Sequence, residues 1–109
     1  MQFDKVKIEI YLPREFILPV RDALHESGAG HVGQYDHCVS ITEVSGYWRP
    51  LDLAKPYQGV KGQIEFGTEC KLEVVCPASL ATGAVQAVRK VHPYEEPIIN
   101  VIPLLSLEA

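Results

Sequence analysis

Two short segments of the chain concentrate the side chains that could do chemistry. The first, HPYEEP, places His92, Tyr94, Glu95 and Glu96 between two prolines. An imidazole beside carboxylates can transfer protons or bind a metal ion. Glu95 and Glu96 are adjacent, so extended backbone would point them to opposite faces and they would not form a ready-made carboxylate pair.

The same segment also has a structural interpretation. His92 falls in the last turn of a predicted helix, where a cation or hydrogen-bond donor suits the exposed carbonyl groups. One proline ends that helix and the other starts a strand, while Tyr94 can bury its ring and keep its hydroxyl in water. Three hypotheses stay open: a fixed helix-to-strand elbow with a trimer contact, a metal or small-ligand site that uses His92 with Glu95 or Glu96, or general acid/base catalysis.

The second segment, GAGHVGQYDHC, offers the metal-ligand types His31, Asp36, His37 and Cys38. Its glycines permit a tight turn. They have the GxGxxG spacing but follow a predicted helix and not a strand, so they do not form a dinucleotide-binding fingerprint, and no P-loop signature is present. His37 and Cys38 are neighbours on a predicted strand and would face opposite sides. A single metal ion could therefore take one of them, helped by His31 or Asp36, and a purely structural turn is the alternative.

A long proline-containing loop, YWRPLDLAKPYQG, presents aromatic side chains together with one arginine. Such a loop is either packed at a subunit interface or a surface for a ligand or partner protein. Arg49 is a candidate anion contact, and a solvated or salt-bridged arginine is its alternative. The candidate ligand-binding residues are Trp48, Arg49, Tyr94 and Glu96, and the candidate metal ligands are His31, His37, Cys38, His92 and Glu95.

Bulk composition excludes several classes of protein. The chain has 109 residues, a hydrophobic fraction of 47% and a net charge of -4. These values predict one globular domain over residues 1–109 and argue against a nucleic-acid partner. No apolar run is long enough for a membrane span, and the N-terminus resembles a strand and not a signal peptide, so we expect a cytoplasmic protein.

The cysteines and serines give little support to catalysis. Three cysteines without a CxxC spacing argue against a disulfide framework or a zinc knuckle. Cys70 and Cys76 share a predicted strand face with Leu72 and Val74, which places them in the core. No GxSxG motif is present, and no spacing joins a cysteine to a histidine and a carboxylate, so we assign no catalytic residue.

Hydrophobic periodicity predicts the element order β-α-β-β-α-β. Alternating residues indicate a first strand from Val6 to Leu12, and helical spacing follows from Ile17 to Ser27. A second strand includes Cys38 to Thr42. The third strand, QIEFGTECKLEVVCP, contains Gly67, which predicts a bulge or bend. A helix over Leu80–Val91 and a last strand complete an α+β ferredoxin-like pattern, an antiparallel sheet with two helices on one face.

Three motifs in this order resemble a known family. GAGHVGQYDHC, WRPLDLAKPYQGVKG and VHPYEEPIINVIPL together resemble the YqfO-type domain, a PII/CutA-like module inserted in many members of the dinuclear-metal, GTP-cyclohydrolase-type-one-like (Nif-three-like) family. HPYEEP is also similar to the corresponding segment of the CutA divalent-cation-tolerance proteins. The resemblance extends from Asp4 to Leu105, and the chain resembles a stand-alone copy of the insert.

The resemblance implies a ferredoxin-like fold and a trimer with ligand or metal sites in clefts between subunits. The family's dinuclear metal site lies in the halves that flank the insert, and its ligands have no matching positions here. We therefore expect a non-catalytic homo-oligomer, a trimer, with a binding, regulatory or assembly role and a possible protein partner. The alternative is a divalent-metal-binding protein, and a third hypothesis is a metal-dependent hydrolase.

Overall fold

The computed structural model describes residues 3–105 and 107 of the chain. A single 3-10 turn precedes each of its two helices, at Arg14–Phe16 and at Ala78–Leu80. The principal elements are β1 (Lys5–Leu12), α1 (Ile17–Glu26), β2 (Ser40–Trp48), β3 (Glu65–Pro77), α2 (Ala81–Val91) and β4 (Ile99–Leu104).

The four strands form one antiparallel sheet in the order β2-β3-β1-β4. In the centre of the sheet Ile8 pairs with Val74 on one side and with Val101 on the other. Each helix joins two strands that have a third strand between them, which is the split βαβ arrangement. The predicted α+β ferredoxin-like fold is confirmed.

The core lies between one face of the sheet and the two helices. Alternate residues of the two central strands point into it, as the period of two along a strand requires. The helices contribute Val20 and Leu24 from α1, and Ala84 and Val88 from α2. The predicted burial of the two β3 cysteines is confirmed. The buried strand residues are Val6, Ile8, Ile10, Leu12, Cys70, Leu72, Val74 and Cys76.

The second strand differs from its prediction at both ends. It begins at Ser40 and extends through Trp48, into the segment predicted as loop. The predicted strand placement of His37 and Cys38 is wrong. His37 has a φ of 55°, in the left-handed region, and the backbone N–H of Cys38 bonds the carbonyl of Gly30 at 2.9 Å. These residues therefore belong to a tight loop, since a left-handed residue interrupts an extended strand.

Gly67 does not form the predicted bulge. The pairing of β2 with β3 continues without interruption, and Gly67 pairs directly with Gly46. The glycine instead makes room for an indole ring, because a Cβ at position 67 would lie 3.1 Å from Cη2 of Trp48. Close approach of a neighbouring group is the other common reason for a glycine within a strand.

The hairpin formed by β2 and β3 gives the molecule an elongated shape, with extents of 52 × 29 × 23 Å. Tyr47 and Phe66 pair across this hairpin on the same sheet face as Leu72, and both remain exposed. The helix-side face of the sheet therefore continues beyond the helices that cover it. None of the helices in the described part of the chain combines the length and apolar character that a membrane crossing requires.

Candidate metal and ligand site

A compact loop over residues 28–38 returns the chain from the end of α1 to the start of β2. The backbone N–H of Gly30 donates to the carbonyl of Val75 at 3.0 Å, which ties the loop to β3. Val32 and Tyr35 exchange two backbone hydrogen bonds of 2.9 Å and form a miniature hairpin. Gly30 has a φ of +81°, and a Cβ there would lie 3.2 Å from backbone atoms of Cys38. Glycine is therefore required where the loop closes.

This loop brings three histidine rings together around the last turn of α1. His25 is on that turn, and His37 stacks on it with ring centroids 3.8 Å apart and planes at 19°. His31 also stacks on His25, with centroids 5.3 Å apart and planes at 27°. The structure thus brings the predicted ligands His31 and His37 together, because both rings stack on His25.

A carboxylate completes the histidine cluster. His37 Nδ1 lies 2.8 Å from Oδ1 of Asp36, so the imidazole donates this hydrogen bond to the carboxylate. That hydrogen bond, with the nearby imidazoles, holds the pKa of Asp36 below its usual value. Ligand atoms of His25, Asp36 and His37 all lie within 4.8 Å of one another. Imidazole nitrogens and a carboxylate oxygen are suitable ligands for first-row transition ions.

His25 is the member of this cluster that the sequence analysis missed. Its helical position made it one of several polar residues on the outer side of α1. Its Nδ1 is buried and finds no hydrogen-bond partner among the described residues. The available signal was the glycine-rich loop directly after the helix, because such a loop can reverse the chain and bring later histidines back over the last turn.

Cys38 does not belong to the group of converging ligand atoms, which come from His25, Asp36 and His37. Its Sγ lies 3.6 Å from the carbonyl oxygen of Asp36, within its own loop. Cys38 is free and half-buried, whereas Cys70 and Cys76 are free and buried.

The HPYEEP segment lies elsewhere and is organised by His92. This residue caps the end of α2, with its N–H bonded to the carbonyl of Val88 at 2.9 Å. Its Nε2 lies 2.7 Å from the carbonyl oxygen of Tyr11, and its Nδ1 accepts from the N–H of Tyr94 at 3.1 Å. A carbonyl only accepts, so Nε2 carries the proton and the ring is neutral. Burial, the largest cause, lowers the pKa of His92.

Two other elbow residues bond β3 and the long loop between β2 and β3. Tyr94 donates its hydroxyl hydrogen to Glu69 Oε2 at 2.8 Å, and burial together with this bond raises the pKa of the phenol. Glu95 accepts from the backbone N–H of Lys55 at 2.8 Å. Tyr57 of the loop bonds Glu15 at 3.0 Å. His92 and Glu95 therefore each have a partner within the protein, away from the histidine cluster.

The remaining candidate ligand residues are spread over the surface. Arg49 and Glu96 are exposed, and neither takes part in an ion pair among the residues that the structure describes. Trp48 packs against Gly67 and donates its indole N–H to the carbonyl of Gln58 at 3.1 Å. These contacts fix the base of the loop, and no hydrogen bond or ion pair among the described residues joins Trp48, Arg49, Tyr94 and Glu96 to one another.

The fold is the α+β ferredoxin-like fold of the PII/CutA-like class. No protein-family model matches the chain. A curated relative, "GTP cyclohydrolase 1 type 2 homolog" of Bacillus subtilis (strain 168), is 42% identical over 98 residues, which cover 90% of this chain and 26% of the relative. The chain spans about a quarter of the length of the curated relatives it matches.

Two solved structures extend the comparison. A Bacillus cereus protein related to NIF3 aligns with a TM-score of 0.80 and 34% identity, over 94% of this chain and 26% of that one. The divalent ion tolerance protein CutA1 from Ehrlichia chaffeensis aligns with a TM-score of 0.71 and 15% identity, over 99% and 88% of the two chains. The CutA1 likeness shows the fold alone. The resemblance to the YqfO-type domain of Nif-three-like proteins is confirmed.

Proposed function

We propose that this chain is a non-catalytic binding, regulatory or assembly module that forms a homo-oligomer, a trimer, through its long β2–β3 hairpin. The observation that carries the proposal is the apolar surface on this hairpin and its loop. Exposed large apolar side chains that are concentrated on one segment are typical of sites of protein association. The exposed apolar residues are Tyr47, Leu51, Leu53, Val60, Ile64 and Phe66, with Leu53 93% exposed.

The outer edge of β2 supports self-association. Within the described residues β2 pairs on one side only, with β3. Its sequence, SITEVSGYW, contains neither lysine nor proline, the residues that commonly protect an exposed edge from pairing. The one charged side chain of the strand, Glu43, is already bonded to Arg14 at 2.8 Å. A second copy of the chain is a suitable partner, because it can offer the opposite edge of its sheet, β4, and three such head-to-tail contacts close a ring.

The non-catalytic part of the proposal rests on the elbow residues. Both ring nitrogens of His92 have hydrogen-bond partners, and Tyr94 has a raised pKa, which makes its phenolate unfavourable at neutral pH. Glu95 holds the long loop. These groups stabilise the chain and are poorly placed for proton transfer to a substrate. A cytoplasmic location is consistent with three free cysteines.

Light scattering after size exclusion tests the assembly. We expect a mass three times the 12.1 kDa of the chain. Phe66→Glu should give a smaller species, because it places a charge in the apolar surface. Leu18→Glu is the matched control, since Leu18 is 58% exposed on α1, away from the hairpin. A wild-type monomer at micromolar concentration, or an oligomer unchanged by Phe66→Glu, would contradict the proposal.

Divalent-metal binding is a second candidate function. The specific observation in its favour is the convergence of ligand atoms from His25, Asp36 and His37. The CutA proteins of similar fold are named for tolerance of divalent ions. Zinc titration of chelator-treated protein tests this candidate: stoichiometric binding supports it, and no binding rejects it.

A further inference from the structure

We propose that His25, Asp36 and His37 form a binding site for a divalent first-row transition ion such as Zn²⁺. This inference rests on the second candidate function and assigns it to three residues. Asp36 and His37 are among the metal-ligand types that the sequence offers in this loop, whereas His25 is not. The donor atoms already lie within 4.8 Å of one another, and they come from two elements, α1 and the loop that follows it.

The hydrogen bonds around the cluster leave one ring nitrogen each of His25 and His37 available to a metal ion. His37 donates from Nδ1 to Asp36, so its Nε2 keeps a lone pair in the neutral ring. That Nε2 is 3.9 Å from Oδ1 of Asp22, too far for a hydrogen bond. Nδ1 of His25 is buried and has no partner within the described part of the chain. A buried polar atom without a partner is costly unless a ligand or ion satisfies it.

The backbone conformation of the loop also brings these rings together. Among the described residues other than glycine, only His37 has a positive φ, which is 55°. A left-handed conformation at a histidine is uncommon and is found most often where function or a turn requires it. Here it directs the chain so that the His37 ring lies over His25 at 3.8 Å. The conformation therefore produces the convergence of the donor atoms.

The donor set selects the class of ion. Two imidazole nitrogens and one carboxylate favour Zn²⁺, Ni²⁺ or Cu²⁺, whereas Mg²⁺ and Ca²⁺ prefer all-oxygen sets. A tetrahedral zinc ion with bonds near 2.1 Å holds its ligand atoms about 3.4 Å apart, so the donors must close by up to about 1.5 Å. Asp36 and His37 are exposed and can move, while His25 is half-buried on the helix.

Ion binding must change the stacking of the rings. A metal ion lies in the plane of an imidazole that binds it, whereas His25 and His37 present their faces to each other at 19°. Coordination by both rings therefore requires His37 to rotate out of the stack. This rotation gives the site a structural signature that is independent of any affinity measurement.

Competition with a chromophoric chelator tests the site, with Zn²⁺ as the probe and Mg²⁺ as the control ion, on tag-free protein at pH 7.5. We expect one Zn²⁺ per chain. His25→Gln, Asp36→Asn and His37→Gln should each weaken binding at least about 10-fold. His31→Gln and Cys38→Ser are matched controls from the same loop and should bind like the wild type. Wild-type affinity in any of the three ligand variants would overturn the assignment.

Histidine ¹⁵N spectra of the unmodified protein provide a second measurement that does not depend on variants folding. Zn²⁺ should shift the ring nitrogens of His25 and His37 and leave those of His92 unchanged; unchanged His25 and His37 signals would overturn the site. Stoichiometric zinc binding without these effects would reject the site and leave the second candidate function standing, whereas no zinc binding would reject both.

Discussion

The ring of His92 bonds the backbone of Tyr11, with 2.7 Å between Nε2 and the carbonyl oxygen. This contact joins the end of α2 to the end of β1, residues 81 positions apart in the chain. The opposite nitrogen accepts from the N–H of Tyr94 and fixes the first turn of the elbow. The histidine of HPYEEP is thus a structural connector, and its two hydrogen bonds explain why the helix-to-strand turn adopts one path.

His92→Gln should destabilise the protein. The variant leaves the buried carbonyl of Tyr11 or the N–H of Tyr94 without its partner, and one unsatisfied buried group costs about 1–3 kcal/mol. Urea unfolding measures the change. His31→Gln is the control, because His31 is exposed and we expect its change to stay within about 0.5 kcal/mol. Equal stability of the two variants would contradict the structural role of His92.

Stability should fall as the pH falls through the range in which an unfolded histidine titrates. Burial lowers the pKa of His92 in the folded protein, whereas the unfolded residue takes up a proton near pH 6.5. Below that pH the unfolded state binds more protons, so the free energy of unfolding decreases. The carboxylate of Glu69 opposes this shift and the guanidinium of Arg89 adds to it.

The free energy of unfolding at pH 7.5 and pH 5.5, in the wild type and in His92→Gln, tests this expectation. The other three histidines are present in both proteins, so the difference between the two pH effects isolates His92. We expect the variant to lose less stability on acidification than the wild type. An equal or larger loss in the variant would show that His92 does not resist protonation in the folded state.

Gly67→Ala should disturb the hairpin and Gly46→Ala should not. The two glycines are direct partners across β2 and β3, but only at position 67 would a Cβ meet the indole of Trp48, at 3.1 Å. No heavy atom of the described residues lies within 4 Å of a Cβ placed at Gly46. We expect Gly67→Ala to lower the free energy of unfolding by about 1 kcal/mol, which is the lower end of the cost of overpacking.

Tryptophan fluorescence reports the environment of the indole in both variants, because Trp48 is the single tryptophan of the chain. Displacement of the indole by Gly67→Ala should break its hydrogen bond to Gln58 and shift the emission maximum to longer wavelength. Gly46→Ala should leave the emission unchanged. Identical spectra for both variants would mean that the glycine does not serve to accommodate the ring.

Local patterns in the sequence predicted the elements but not the contacts between distant residues. Alternation along β1 and β3 and the spacing in α2 are properties of neighbouring residues, so the core followed from them. The histidine cluster depends on how a loop returns over α1, which is set by the φ of His37 and the closure at Gly30. The role of Gly67 could not be predicted from local sequence either, because the indole that it accommodates belongs to another strand. A bulge explained the glycine equally well.

The long loop between β2 and β3 should open when Tyr57 loses its hydroxyl. Tyr57 bonds Glu15 at 3.0 Å and packs edge-on against Phe16 with centroids 6.1 Å apart. Tyr57→Phe removes the hydrogen bond and keeps the ring, so we expect the loop to open more often while the rest of the fold keeps its stability.

Limited trypsin digestion followed by mass spectrometry measures the opening, because the loop contains one readily cleaved bond. Arg49 and Lys55 precede prolines, whereas Lys61 precedes Gly62. Cleavage after Lys61 should become faster in Tyr57→Phe. Tyr35→Phe is the control, since Tyr35 is 74% exposed and its hydroxyl forms no hydrogen bond within the described residues. If both variants are cut at the wild-type rate, the bond to Glu15 does not hold the loop closed.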